Sequence, residues 1–264
     1  MNENVSIFLA GSASFVLTLS VFAAAPRILS RLSKQYGLLE PDKRIVIDTD
    51  FKSGVINIII GSVGVYVFVY NHELYPRRLR HNCLPLRHGV AGYLGYTIAD
   101  VFLILRHEPL FSPLYLVHHF VGTLCGLAGT IYTSVPWIMS TFLFYEASTP
   151  FANLRVVLAK CGWKNTRLYT VNALLLMTVF FLCRVAIIPV YWRTVYLLYT
   201  DGSFPQIDGF VYYLMLYGRV VFDILNVYWF SLMLKAFCII VCPKRDSRLL
   251  TTSDQTSIEQ SKKY

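Results

Sequence analysis

Leu114-Tyr115-Leu116-Val117-His118-His119-Phe120 and, one apolar segment later, Phe144-Tyr145-Glu146-Ala147-Ser148-Thr149-Pro150-Phe151-Ala152-Asn153-Leu154-Arg155 decide how this chain is read. Two imidazoles and a carboxylate stand there in otherwise apolar sequence. A charged side chain at the centre of a membrane helix costs roughly 2.5–3.5 kcal/mol on insertion scales, so ionisable groups in such surroundings mark function by default.

Working outward, the 264 residues are 55% hydrophobic and only 15% charged, more apolar than one soluble core requires. Several windows reach the 20 or so apolar residues that cross a bilayer. The expected fold is therefore an all-α membrane protein of about seven transmembrane helices. They are placed at about Val5–Ala25, Thr49–Tyr70, His88–Leu105, Pro113–Ile131, Val135–Leu158, Leu168–Leu198 and Ile207–Val241. Only three or so residues separate the fourth from the fifth, which makes that pair an antiparallel hairpin. A cleaved signal peptide competes for the first window, with Ala23-Ala24-Ala25 as its small-residue site. The leading Met1-Asn2-Glu3-Asn4 lacks a basic region, the apolar run is long, and cleavage would fall against Pro26, so a retained helix is expected.

The net charge of +9 is spread over short loops rather than gathered into a surface for nucleic acid. Residues 26–44 read as a basic cytosolic loop, residues 45–240 as one helical domain, and residues 241–264 as a polar, disordered cytosolic tail. With the N-terminus out and the C-terminus in, Arg27, Arg31, Lys34, Lys43, Arg44, Arg106, Lys160, Lys164, Arg167 and the tail lie inside. Outside are Arg77, Arg78, Arg80 and Arg87, so the positive-inside rule favours that orientation. The six cysteines show no CxxC spacing and no disulfide framework; Cys238 and Cys242, one turn apart, are either buried thiols or palmitoylation sites.

The candidate site residues follow from spacing. His118 and His119 project about 100° apart on a helix, so one can face a cavity while the other packs on a neighbour. Imidazole serves as base, nucleophile or ligand, and the competing expectation is two neutral histidines hydrogen-bonded to Asp100 or Glu146. Tyr96 and Asp100 share a face one turn apart. Pro150 has no N–H for the carbonyl of Glu146, so the helix should kink there, with Ser148 and Thr149 supplying hydroxyls and Asn153 returning to the Glu146 face. Arg155 falls on the opposite face. Arg219 and Asp223 are spaced for an intrahelical ion pair, with Asn226 on the same stripe. Arg184 has no acidic neighbour on its own helix and should pair with Glu146 or Asp100. Gly54, Gly61 and Gly64 mark close helix approach. No three-ligand metal spacing, phosphate-cradling loop or nucleophile elbow is present, and no metal is expected.

These pieces, Gly95-Tyr96-Thr97-Ile98-Ala99-Asp100, Tyr115-Leu116-Val117-His118-His119 and Glu146 to Arg155, with Arg184 and Pro189, resemble the TRAM/LAG/CLN (TLC) domain family of endoplasmic-reticulum membrane proteins. The resemblance implies a helical bundle around a lipid-sized cavity. Ceramide synthases of that family use paired histidines to move an acyl group from coenzyme A to a sphingoid amine. His118 and His119 match that pair; in the following helix this chain reads Phe144-Tyr145-Glu146-Ala147-Ser148 where those enzymes carry His-Asp and a second Asp.

Two functions are accordingly expected. One is a lipid-homeostasis protein that binds or handles acyl-chain lipids, with Tyr96, Tyr145, Ser148, Asn153, Arg184, Arg219, Asp223 and Asn226 lining the site and membrane lipids as partners. The other is an acyltransferase with acyl-coenzyme A as co-substrate, in which His118, His119, Glu146 and Asp100 are catalytic. A secretory cargo receptor is a lesser alternative. A heptahelical signalling receptor is disfavoured, because segment three lacks a closing Asp-Arg-Tyr and segment seven lacks Asn-Pro-x-x-Tyr. Ser261-Lys262-Lys263-Tyr264 approaches a dilysine retrieval signal one position out of register.

Overall fold

The computed structural model describes residues 2–70 and 79–241, with side chains described up to residue 238. Arg77, Arg78, Cys242 and the polar tail lie outside the described residues.

Six helical segments are long and apolar enough to cross a membrane among the described residues. They are α1 (Glu3–Leu32), α3 (Pro41–Val65) with its continuation to Tyr70, α4 (Leu84–Arg106), α5 (Pro113–Ile131), the segment Arg167–Thr200 and the segment Gly209–Cys238. The residues expected to form the fifth span are not among those six; they are helical but broken into α6 (Pro136–Tyr145), a tight turn over Glu146–Ser148 and α7 (Thr149–Lys160). The all-α architecture expected from the apolar windows is what forms.

The expected loop over residues 26–44 is the main correction. Helix α1 runs through Pro26 to Leu32, a four-residue helix α2 (Lys34–Gly37) follows, and α3 already starts at Pro41. Polar residues misled the assignment because this end of the bundle has its own core: Ala25, Leu29, Tyr36, Ile47, Val157 and Cys161 pack together. Pro41 opens α3 where its missing N–H has no helical partner to lose.

Helix α3 is the hub, packed on α1, α4, α6 and α7. Its glycines allow this, as their spacing predicts. A Cβ on Gly61 would stand 2.8 Å from the Glu146 carbonyl oxygen, one on Gly64 would strike the Leu143 carbonyl, and one on Gly54 would touch the Asn153 Cβ at 3.4 Å. Helices α1 and α4 cross as closely, the Gly95 position lying directly against the Gly11 carbonyl. The first helix is thereby part of the same bundle.

At the opposite end, α5 and α6 form the expected hairpin through Tyr132–Val135. Val135 takes a left-handed backbone at φ 44°, a conformation that costs a β-branched residue about 1–3 kcal/mol. It is held by a 2.7 Å bond from its N–H to the Leu79 carbonyl and by the neighbouring pairing of His81 with Thr133. Asp208 closes this end by accepting from Ser134 and pairing with Arg80 at 3.1 Å, and these partners, Ser134 first, hold its carboxyl below the usual aspartate range.

The glycine contacts give a matched test. Replacing Gly95 with valine drives side-chain atoms into the α1 backbone and should destabilise the purified protein by about 1–3 kcal/mol, as overpacking does. Gly92→Val, where nothing lies within 4 Å, should leave the detergent unfolding midpoint nearly unchanged. Equal midpoints for the two variants would contradict the close crossing.

Candidate functional site

The site begins with the broken helix. Pro150 has no N–H for the carbonyl of Glu146, so the Thr149 N–H bonds there instead, tightening the turn to an i→i+3 pattern. That leaves the Tyr145 carbonyl without its i+4 donor. Side chains also reach it: the Arg184 Nε donates at 3.2 Å and the Ser148 hydroxyl at 3.1 Å. The kink therefore exists as expected, and its freed acceptor is the carbonyl one residue before Glu146.

Arg184 reaches this point from a wide turn over Phe181–Val185, between α8 (Arg167–Phe180) and α9 (Ile187–Thr200). The Ala186 N–H bonds five residues back to Phe181 at 2.8 Å. Such π-type turns add one residue to a helix and recur at functional sites. The guanidinium spends its fork on several partners: Nε also donates to the Ser148 hydroxyl at 2.8 Å, Nη1 to Asn226 at 3.2 Å and Nη2 to Thr149 at 3.0 Å. Glu146 lies 3.9 Å from Nη2 and accepts the Thr149 hydroxyl at 2.7 Å. The interhelical partner expected for Arg184 is thus Glu146.

A second wide turn, Leu214–Gly218, joins α10 (Gly209–Tyr213) to α11 (Arg219–Val241) and delivers Arg219. This fully buried residue makes the expected intrahelical pair with Asp223, Nε to Oδ1 at 2.6 Å. The pair is not merely local. Asp223 also accepts from the Trp192 indole at 2.8 Å, and the Arg219 guanidinium lies 3.8 Å from the Tyr191 ring centroid and 5.0 Å from that of Tyr145. Tyr145 thus carries a guanidinium from each of two helices within cation–π range.

The histidines sit beside a third ion pair. Lys52 of α3, fully buried, bonds directly to Asp100 of α4 and lies 5.3 Å from the Tyr96 ring centroid. The Tyr96 hydroxyl donates to Ser53 at 3.3 Å, so Tyr96 and Asp100 do share the face their spacing predicts. His119 Nε2 is 3.6 Å from the other Asp100 oxygen, just beyond hydrogen-bond length, and Tyr115 packs on its ring.

His118 takes a different environment, edge-on to Phe222 and Trp229 with centroids 5.1 and 5.3 Å away. Glu146 bonds to neither imidazole; its partners are Thr149 and Arg184. Phe222 links the two halves of the site, packing on both His118 and Tyr145. Asn153 is buried against Gly54 on α7 and stands apart from the Arg184 network. The surroundings of His118 are packed rings, and hollows of about 430 and 570 Å³ lie elsewhere, at the ends of the helices.

Lys52 is the residue that sequence reading passed over. Its signal was present: it is a cation inside the second apolar window, followed by Ser53 and Asn57. Thr141, Tyr191 and Trp192, which serve Arg219 and Asp223, carry no charge in the sequence and gave no signal.

Burying an ion pair is neutral at best, but removing one partner strands a charge and costs about 3–5 kcal/mol. Lys52→Met should therefore destabilise the protein by about that much, and Lys52→Met/Asp100→Leu should recover most of the loss. Additive losses in this double-mutant cycle, read from unfolding in detergent, would contradict the pairing.

Residues 48–235 match the family model of the TLC domain (TRAM, LAG1 and CLN8). The chain is 27% identical over 234 residues to TLC domain-containing protein 4-A of Xenopus laevis, covering 86% of this chain and 88% of that protein. It is 21% identical over 202 residues to human TLC domain-containing protein 4, covering 76% and 77%. It is also 30% identical over 165 residues to Topoisomerase I damage affected protein 4 of Saccharomyces cerevisiae, covering 59% and 57%. No solved structure matches. With more than half its length in the family model, this multi-pass membrane protein belongs to the TLC domain family.

Proposed function

We propose that this protein acts in lipid homeostasis by binding or handling acyl-chain lipids, with the polar group of the lipid held in the core between α4, α5, α6 and α11. One observation carries this reading. Among the described residues, six of the ten buried side-chain atoms without a hydrogen-bond partner lie at the candidate site: Asp100 Oδ2, His118 Nδ1, His119 Nδ1, the Tyr145 hydroxyl, Arg219 Nη2 and Asn226 Nδ2. Leaving such groups unmet costs about 1–3 kcal/mol each, and in hydrocarbon no bulk water is at hand to meet them. A lipid headgroup carries the missing donors and acceptors, while its chain lies along the apolar helix faces that the bundle turns outward. The orientation, N-terminus out, and residence in the endoplasmic reticulum belong to the same proposal.

A second reading is favoured by the approach of His119 to Asp100. A carboxylate at 3.6 Å is near enough to stabilise the imidazole when it is protonated. In an acyltransferase, a histidine so placed takes the proton of the acceptor amine or hydroxyl as that atom attacks the thioester carbonyl of acyl-coenzyme A. The thiol of coenzyme A leaves with a proton. Lys52 then serves as a positioning residue for Asp100.

Both readings are tested by mass spectrometry of lipids bound to the purified protein, wild type beside His118→Ala/His119→Ala, with long-chain acyl-coenzyme A offered. Lipid binding alone predicts a co-purifying lipid, reduced roughly tenfold in the double variant at unchanged size-exclusion behaviour, from the loss of about 1–2 kcal/mol of polar contact. An acylated product formed only by wild type selects the transferase. Identical lipid content in both proteins, with no product, would refute both.

A further inference from the structure

The end of the bundle where α1 leaves and α3 enters carries a hollow of about 430 Å³. Arg27, Ser30, Tyr36, Arg44, Ile45 and Asp48 line it. We propose that this hollow binds the phosphate headgroup of an anionic phospholipid, at a site separate from the polar core and independent of what that core does.

Two guanidiniums, Arg27 and Arg44, line the hollow against one carboxylate, Asp48, which leaves one positive charge over. Lys43 is taken by Glu40 at 2.8 Å, on the exposed side of the turn. The Asp48 carboxylate is buried and accepts the Tyr36 hydroxyl at 2.8 Å. Arg44 is fixed in place, Nε donating to the Leu39 carbonyl and Nη2 to that of Gly37, both at 2.8 Å, which leaves its Nη1 hydrogens unspent. Arg27 is exposed across the hollow, and its guanidinium has no hydrogen-bond or ion-pair partner among the described residues. One rigid and one free guanidinium make a fork for phosphate oxygens.

Exposed apolar residues beside the hollow fit it to the membrane boundary. Leu32 and Leu38, on either side of α2, are 59% and 79% exposed among lysines and arginines. Apolar side chains set beside cations in this way sink into the boundary between headgroups and acyl chains, with the basic groups above them. Such basic groups attract anionic lipid by about 1 kcal/mol each, roughly fivefold in occupancy. The Ser33 hydroxyl, donating to the Cys161 carbonyl at 2.9 Å, pins α2 to the end of α7 and keeps the hollow in shape.

Native mass spectrometry of the full chain from nanodiscs of phosphatidylcholine doped with phosphatidylserine tests this. Arg27→Gln, which breaks no contact of the fold, should reduce retained phosphatidylserine about fivefold, and Arg27→Gln/Arg44→Gln further. Lys164→Gln/Arg167→Gln, at the second hollow, should retain it as wild type does. Unchanged retention in the Arg27 variant, or an equal loss in the Lys164/Arg167 variant, would overturn the site. Displacement by inorganic phosphate at a lower concentration than by a soluble short-chain phosphatidylserine would also overturn it, as the mark of a free-phosphate site.

Discussion

The bond from the Arg184 Nε to the Tyr145 carbonyl is the contact on which the polar core depends. Two backbone irregularities exist to make it. Pro150 breaks one helix and frees the acceptor; the wide turn at Phe181–Val185 turns the donor inward. An unmet carbonyl in hydrocarbon costs several kcal/mol, and the turn leaves this one with local donors only, the Ser148 hydroxyl among them, until the guanidinium arrives. Together they satisfy each other, and the guanidinium so placed reaches Asn226 and Thr149 and lies near Glu146. The Gly61 and Gly64 positions of α3 press against the backbone beside the break, which prevents the turn from relaxing.

Around that contact the buried charges come in pairs from different parts of the chain: Lys52 with Asp100, Arg184 with Glu146, Arg219 with Asp223. Ion pairs of this kind are poor stabilisers against apolar replacements of equal volume. These pairs and the unpartnered atoms beside them are the groups that the proposed lipid headgroup would meet. The two histidines differ in what they face. His119 faces a carboxylate and His118 faces aromatic rings, so adjacent positions on one helix meet opposite chemistries.

Much of this was legible in the residues. Long apolar windows placed the helices, Pro150 placed the break, the i,i+4 spacing placed Arg219 on Asp223, and the lack of a local acid sent Arg184 to another helix. What was not legible depended on packing between distant segments. The stretch over residues 26–44 is polar enough to read as loop, yet helices run through it because Leu29, Tyr36 and Ile47 bury one another against α7. Lys52 was hidden by its position near the start of an apolar window. Glu146 was within reach of the histidines by composition but not by geometry, since its helix breaks at that residue and turns its carboxylate to Thr149 and Arg184.

The most direct measurement of whether the polar core receives a lipid is photo-cross-linking with a phospholipid that carries a diazirine in its headgroup, mapped by peptide mass spectrometry. If the core holds the headgroup, label falls on α5 and α11 around His118, Phe222 and Trp229 and is competed away by unlabelled lipid. Label confined to outward residues such as Phe8 and Val16 of α1, indifferent to competitor, would show a bundle that only touches the bilayer and would contradict lipid binding at the core.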